Sequence, residues 1–374
     1  DIDKLLERSV LSHKVGFWIA LLLVLTFGLM GCGSDNSETK DADKMKVGFV
    51  FVGPAGDHGW SYTHDQGRKY LESKIPDVKA TVVESVSDND AEKVITQLVE
   101  DGNKIIFTTS FGFMDPTISV AEKYPDVTFM HCSGFKTADN ASNYFGRIYQ
   151  ARYLSGLIAG KMTETNVIGY VAAFPIPEVV RGINAFTLGV REVNPNAVVK
   201  VVWTNTWLNP PQEKDAAKSL LEQDADVIAQ HQDSPGPLQA AEEKGVYSIG
   251  YNSDMSKFAP KGYLTSPVWN WGPYYVNVVN AVKEGTWTNE PYWGTMADNV
   301  VDLAPMSSLV PEDVKKLVED KKQKISAGEW DVFTGPVKDQ QGNIKVPAGQ
   351  KMTDEEMLGF DWFVEGVDGT IPKN

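Results

Sequence analysis

The chain has 374 residues, 42% hydrophobic, 10% aromatic and 23% charged, a balance that excludes collagen, coiled coil and wholesale disorder. A single core normally splits beyond ~250–300 residues, so two domains are expected. With 35 Lys+Arg against 50 Asp+Glu the net charge is -15, and no basic run is dense enough to follow a phosphate backbone, which sets nucleic acid aside as a partner.

Residues 15–30 form an apolar run, preceded by Lys14 and followed by Gly31 and Cys32. The run falls short of the ~20 residues a membrane-crossing helix needs and has the outline of a signal peptide. Leu29-Met30-Gly31-Cys32 resembles a bacterial lipobox, so residues 1–31 are expected to be a leader, Cys32 the lipidated residue and 32–45 a tether. The mature protein would then be lipid-anchored at the periplasmic or extracellular face of a bacterial membrane. The plainer reading, a buried core helix, fits poorly with the polar stretch 33–44 that follows. Residues 1–12 mix acids with bases, unlike a normal leader, and are left out of fold reasoning. Once Cys32 is lipidated Cys132 has no cysteine to pair with, and a lone Cys in an apolar run is usually a small buried hydrophobe.

From Lys46 onward β-rich apolar runs alternate with segments of helical period. Strands are predicted at 47–52, 80–84, 104–108 and 127–132, with helices at 62–73, 90–101 and 115–123 between them. A long helix over 149–163 follows, and the pattern restarts with strands at 167–172, 198–204, 226–230 and 248–251 and helices at 177–193, 211–223 and 235–244. Such alternation predicts βαβ units around two parallel sheets, an α/β protein of two Rossmann-like lobes with a ligand cleft at the strands' C-terminal ends. After a helix at 272–283, the stretch 285–294 and the run 299–303 are expected to return the chain to the first lobe. A helix at 311–327 and a hairpin-like packing tail from 331 complete it. The lobes are accordingly drawn as 46–165 plus about 285–330, and 166–284 plus about 331–374.

Signatures of catalysis or phosphate binding are mostly absent. Gly156-Leu-Ile-Ala-Gly160-Lys161 looks like a P-loop but has one residue too few between its glycines, Met162 in place of Ser or Thr, and an apolar helical context, which points to helix packing. The sequence has no G-x-S-x-G elbow, no H-E-x-x-H and no G-x-G-x-x-G, and its histidines form no metal-ligand spacing. No catalytic residue, metal or cofactor is therefore assigned.

Polar and aromatic residues gather instead after strands. The clusters are 53–62, with Asp57, Trp60 and Tyr62; 110–116, with Phe111, Phe113 and Asp115; 203–207, ending in Trp207; 231–234, with Asp233; 251–254, with Asn252 and Asp254; and 269–271, with Trp269 and Trp271. All sit at the same ends of their sheets, so they can converge on one small molecule. Flat aromatic faces would sandwich a flat ligand while carboxylates and amides read its edge, a description a purine fits and a sugar fits in part. Taken singly, each has an ordinary structural explanation. Asp57 and Asp115 precede helices and suit helix capping, the tryptophans suit lobe packing, and His58, His64 and His231 suit satisfied or surface positions.

The run Lys46-Val-Gly-Phe-Val-Phe-Val-Gly53 with Gly56-Asp57-His58-Gly59-Trp60, the run Thr108-Thr-Ser-Phe-Gly-Phe-Met-Asp115, and Gly250-Tyr-Asn-Ser-Asp-Met255 together resemble the basic membrane protein (PnrA-like) family of bacterial lipoproteins, over about 46–336. That resemblance implies a type I periplasmic-binding-protein fold and service as the substrate-binding component of an ABC importer, handing a purine or purine nucleoside to a membrane permease. It places Asp57 and Trp60, then Phe111 and Asp115, on the first-lobe wall, and Asn252 and Asp254 on the loop that meets ribose. Two departures, Ser61 where relatives carry Asn and Ser266-Pro-Val-Trp269 where they carry a Lys, favour a free base such as adenine, with Trp269 or Trp271 filling the sugar's space. The expectation is a monomeric, non-enzymatic receptor. A sugar-binding protein, a ligand-presenting sensor and an exported nucleoside hydrolase using Asp57 and His58 are the alternatives.

Overall fold

The computed structural model describes residues 43–373, so the expected leader and lipid-bearing Cys32 lie outside the described residues. Two six-stranded, wholly parallel sheets organise them. The first is built from β1 (Met45–Val50), β2 (Val78–Val83), β3 (Ile105–Thr108), β4 (Thr128–Cys132), β5 (Ala141–Gly146) and β12 (Tyr292–Gly294), ordered β12-β5-β4-β3-β1-β2. The second contains β6 (Val167–Ala172), β7 (Val198–Trp203), β8 (Val227–His231), β9 (Tyr247–Ile249), β10 (Tyr263–Thr265) and β16 (Val367–Asp368), ordered β10-β9-β8-β6-β7-β16. Central strands such as β3 and β8 are buried along their whole length, as parallel strands covered on both faces must be.

Each sheet reverses its winding beside its first strand. In the first, β2 is added on one side of β1 and β3 on the other; in the second, β7 and β8 flank β6 in the same way. The crevices outside the C-terminal ends of β1/β3 and β6/β8 are therefore the topological switch points, where this class of sheet binds ligands.

The helices predicted after the first strands form as α1 (Trp60–Lys74), α2 (Ala91–Glu100) and α3 (Met114–Ala121). Next come α4 (Ile148–Met162), α5 (Pro177–Val193), α6 (Pro210–Leu221) and α7 (Gly236–Lys244), then α8 (Gly272–Glu284) and α9 (Glu312–Ser326). Two of them lie across the expected lobe division. α4 packs along α5 on the second sheet, because Gly156 and Gly189 let the backbones meet: a Cβ at Gly156 would lie 2.1 Å from the Phe186 carbonyl oxygen. The P-loop lookalike is thus a helix contact. α8 leans on α1 at Gly67, and its Tyr275 packs on Phe49 and Phe107 of the first sheet, with ring centroids 5.1 and 4.6 Å apart.

β5 is absent from the sequence reading, and the cause is its composition, since Ala-Ser-Asn-Tyr-Phe-Gly lacks a β-branched run. The 299–303 run forms β13 (Val301–Leu303), which pairs antiparallel with β11 (Pro267–Trp269) rather than entering the first sheet. The tail carries the hairpin β14 (Val337–Lys338) and β15 (Ile344–Val346), the short helix α10 (Asp354–Leu358), and finally β16, which lies parallel on the edge of β7.

Candidate functional site

A small, partly open cavity sits where the two switch points face each other. Val52, Trp60, Ser110, Phe111 and Ser133 line it from the loops after β1, β3 and β4. Glu178, Trp207, His231, Asp233 and Tyr251 line it from the ends of β6, β7, β8 and β9. The two sides touch directly. A Cβ on Gly59 would fall 2.1 Å from the Asp233 carbonyl oxygen, and the Ser253 hydroxyl donates to the His58 carbonyl at 2.5 Å.

On the first-sheet side the polar groups are already engaged. Asp57 Oδ1 accepts from the amides of Gly59 and Tyr62 at 2.7 and 3.0 Å, and Oδ2 from the Ser61 amide at 3.0 Å, so this carboxylate ties down the first turn of α1. Burial pushes its pKa up to about 6 while those amides pull it down. The Trp60 indole N–H donates to the Thr109 carbonyl at 2.5 Å, which fixes its ring in the wall. Trp60 and Phe111 leave an apolar, aromatic surface toward the cavity.

The second-sheet side is charged and incompletely paired. Glu178 Oε2 and His231 Nδ1 are buried with no hydrogen-bond partner among the described residues, and Glu178 Oε1 stands 3.9 Å from His231 Nε2. Burial lifts Glu178 to about 7, opposed by the Arg181 and Arg152 guanidinia and by the nearby Ser133 hydroxyl. Asp233 is raised well above the usual carboxylate range by burial and by its neighbours Asp57 and Glu213. Burial, with Arg152 and Arg181 nearby, holds His231 well below its ordinary value, so it is neutral. Arg152 lies 3.7 Å from the Tyr251 ring centroid and donates to the Gln230 carbonyl at 2.6 Å.

Of the residues singled out in the sequence, Trp60, Phe111, Trp207 and Asp233 come together on the cavity. Phe113, fully buried, packs in the core beneath α3 instead. Asp115 does not reach the cavity: its side chain is 71% exposed and pairs with Lys136 at 2.7 Å on the outer face of α3. Tyr62, Asn252, Asp254, Trp269 and Trp271 line a separate open groove. Asp254 there accepts from the Ser256 amide at 2.9 Å. Between groove and cavity stands an edge-to-face pair, Trp60 and Trp269, 5.5 Å apart. Trp269 donates its indole N–H to Asn252 Oδ1 at 2.9 Å and stacks on Trp271 at 4.8 Å. Asn252 itself has φ 71°, a left-handed conformation that Asn tolerates.

Glu178 and Ser133 lie outside the clusters named from the sequence, while Ser110, His231 and Tyr251 lie within them without being singled out as ligand contacts. The strand-end rule reaches Ser133 once it is applied after β4 and Glu178 once it is applied after β6, where the Phe174-Pro-Ile-Pro177 approach hides Glu178 inside a helix's first turn. Among the described residues no group of three or more His, Cys, Asp or Glu is placed to hold a metal ion.

Comparison with known proteins gives a consistent picture. A family model described as ABC transporter substrate-binding protein PnrA-like matches residues 44–332. A purine-binding protein of Brucella abortus is 46% identical over 94% of this chain and 100% of its own length. A Haloferax volcanii protein named for glucose binding in an ABC transporter is 39% identical over 91% of this chain and 84% of its own. The solved ABC transporter solute-binding protein of Aeropyrum pernix superposes with a TM-score of 0.69 at 18% identity, covering 84% of this chain and 97% of that one, a likeness of fold.

Proposed function

The chain belongs to the PnrA-like family of ABC transporter substrate-binding proteins, and on that premise we propose that the cavity between its sheets holds a purine, free base in preference to nucleoside, for delivery to a membrane permease. The observation that carries this reading is the cavity itself. Trp60, Phe111, Trp207 and Tyr251 offer aromatic faces, and Asp233 and Glu178 offer buried carboxyl groups to a flat ligand's polar edge. Asn252, the residue expected to meet a ribose, spends its oxygen on Trp269, which favours a base. The Brucella abortus relative adds support through its own ligand class.

The two sheets with their helices serve as lobes that close on the ligand, the contacts of Gly59 with Asp233 and Ser253 with His58 forming the closed seam. Before closure the protein would be held to the membrane by lipid on Cys32, acting as a monomer and as a binder rather than an enzyme. Denaturing extraction of the purified protein, mass spectrometry of what is released, and thermal shift against bases and nucleosides test this, since a ligand that binds the folded state raises its melting temperature. Recovery of a purine base with a matching shift is expected; a nucleoside would remove the preference for a base. The sugar reading keeps one support, the Haloferax volcanii relative. A Trp fluorescence response to hexoses with none to purines would replace the purine reading by it.

A further inference from the structure

Glu178 sits in the first turn of α5, its side chain 12% exposed and its Oε2 shut away from solvent without a partner among the described residues. It lines the cavity opposite the Trp60 and Phe111 faces. A buried carboxylate oxygen in that position leaves a hydrogen-bond vacancy that a ligand N–H can fill.

Resting on the purine reading above, we propose that Glu178 selects purines bearing an amino group, by accepting an N–H from that group, and that this selectivity rises with pH through neutrality. An oxo group in the same place would set two acceptors face to face when Glu178 is ionised. Protonated Glu178 can donate instead, and would tolerate the oxo ligand.

The groups around Glu178 support a switch in that interval. Arg181, one turn along α5, Arg152, from α4, and the Ser133 hydroxyl after β4 draw the carboxyl down; burial outweighs them and leaves it at about 7. From β8 and its loop, His231 stays neutral and Asp233 stays raised, while Tyr251 after β9 and Cys132 at the end of β4 are held above their ordinary values and remain uncharged. Glu178 is thus the cavity-lining group that changes charge near neutral pH. Asp233, pushed toward its protonated form by burial beside Asp57 and Glu213, lines the same cavity and can donate to a ring nitrogen in that form. The pair supplies one acceptor and one donor, the complement of an amino group beside a ring nitrogen.

The test is calorimetric titration of the wild-type protein and Glu178→Gln with adenine and with hypoxanthine at about pH 6 and about pH 8. A hydrogen bond to a charged group corresponds to roughly a 10- to 100-fold preference for adenine at the higher pH, narrowing at the lower. Glu178→Gln should reduce that preference to within a few-fold and make it independent of pH. Ser133→Ala, which keeps the carboxyl but removes the hydroxyl that draws it down, should move the midpoint of the wild-type profile to higher pH. A wild-type preference that is equal at both pH values, or kept by Glu178→Gln, overturns the assignment while leaving purine binding intact. Wild-type protein that binds neither compound overturns the purine reading, and this inference with it. Thermal unfolding of each empty variant separates a lost contact from a lost fold.

Discussion

The two walls of the cavity differ in how far the protein has satisfied its own polar groups. On the first-sheet wall Asp57 accepts three backbone amides and Trp60 donates to Thr109, so what remains toward the ligand is aromatic surface. On the second-sheet wall Glu178 Oε2 and His231 Nδ1 are left open and the acids are pushed toward their neutral forms. Stacking on the first tolerates any flat ring, whereas the second penalises a ligand whose edge cannot complete it. On the proposed reading, breadth and choice are lodged on different sheets.

The largest expected effect strikes the unsatisfied wall. Folded Glu178 holds its proton to about 7 whereas the unfolded chain releases it near 4.5, so between those values the folded state binds more protons and wild-type stability falls as pH rises. Glu178→Gln removes that loss. Urea unfolding should show the ligand-free variant level with wild type at about pH 4 and more stable by roughly 3 kcal/mol at about pH 8. An advantage that does not grow with pH would mean that the carboxyl titrates normally.

On the satisfied wall, Trp60→Ala should weaken adenine and hypoxanthine alike by about 2 kcal/mol, because stacking does not read the edge. A loss confined to one of them in parallel titrations would erase the contrast between the walls. Trp269→Phe keeps the ring but frees Asn252 Oδ1, and should improve adenosine relative to adenine by about 1 kcal/mol in competition binding. Asp115→Ala should leave both affinity and stability within about 0.5 kcal/mol, as for an exposed ion pair. A tenfold loss of ligand there would return Asp115 to the site.

The contrast also explains what could be read before the structure. Strand-end clustering found Trp60, Phe111, Trp207 and Asp233 because a parallel sheet delivers its loops to one end whatever their conformation. It could not show which carboxylates other groups of the protein would claim. Asp57 is taken by the first turn of α1, Asp254 by the Ser256 amide and Asp115 by Lys136. Glu178 escaped for the opposite reason: it lies within a helical pattern, and its burial depends on α4 and β8, far away in sequence. The same non-locality governs α4 and α8, whose lobe is decided by Gly156 against Phe186 and by Tyr275 against Phe107 rather than by their order in the chain.

The last strand has a role distinct from ligand binding. β7 would otherwise end the second sheet, and residues 198–203, Val-Val-Lys-Val-Val-Trp, are a β-branched segment suited to recruiting a strand from another molecule. β16 lies along it in register, Val367 beside Val199, while the Trp203 indole N–H holds the Thr370 carbonyl at 2.8 Å and Asn184 holds the Trp362 carbonyl and the Val364 amide. The tail therefore works as an edge guard. Its loss by proteolysis would show first as self-association through β7, at protein concentrations where the intact chain stays dispersed.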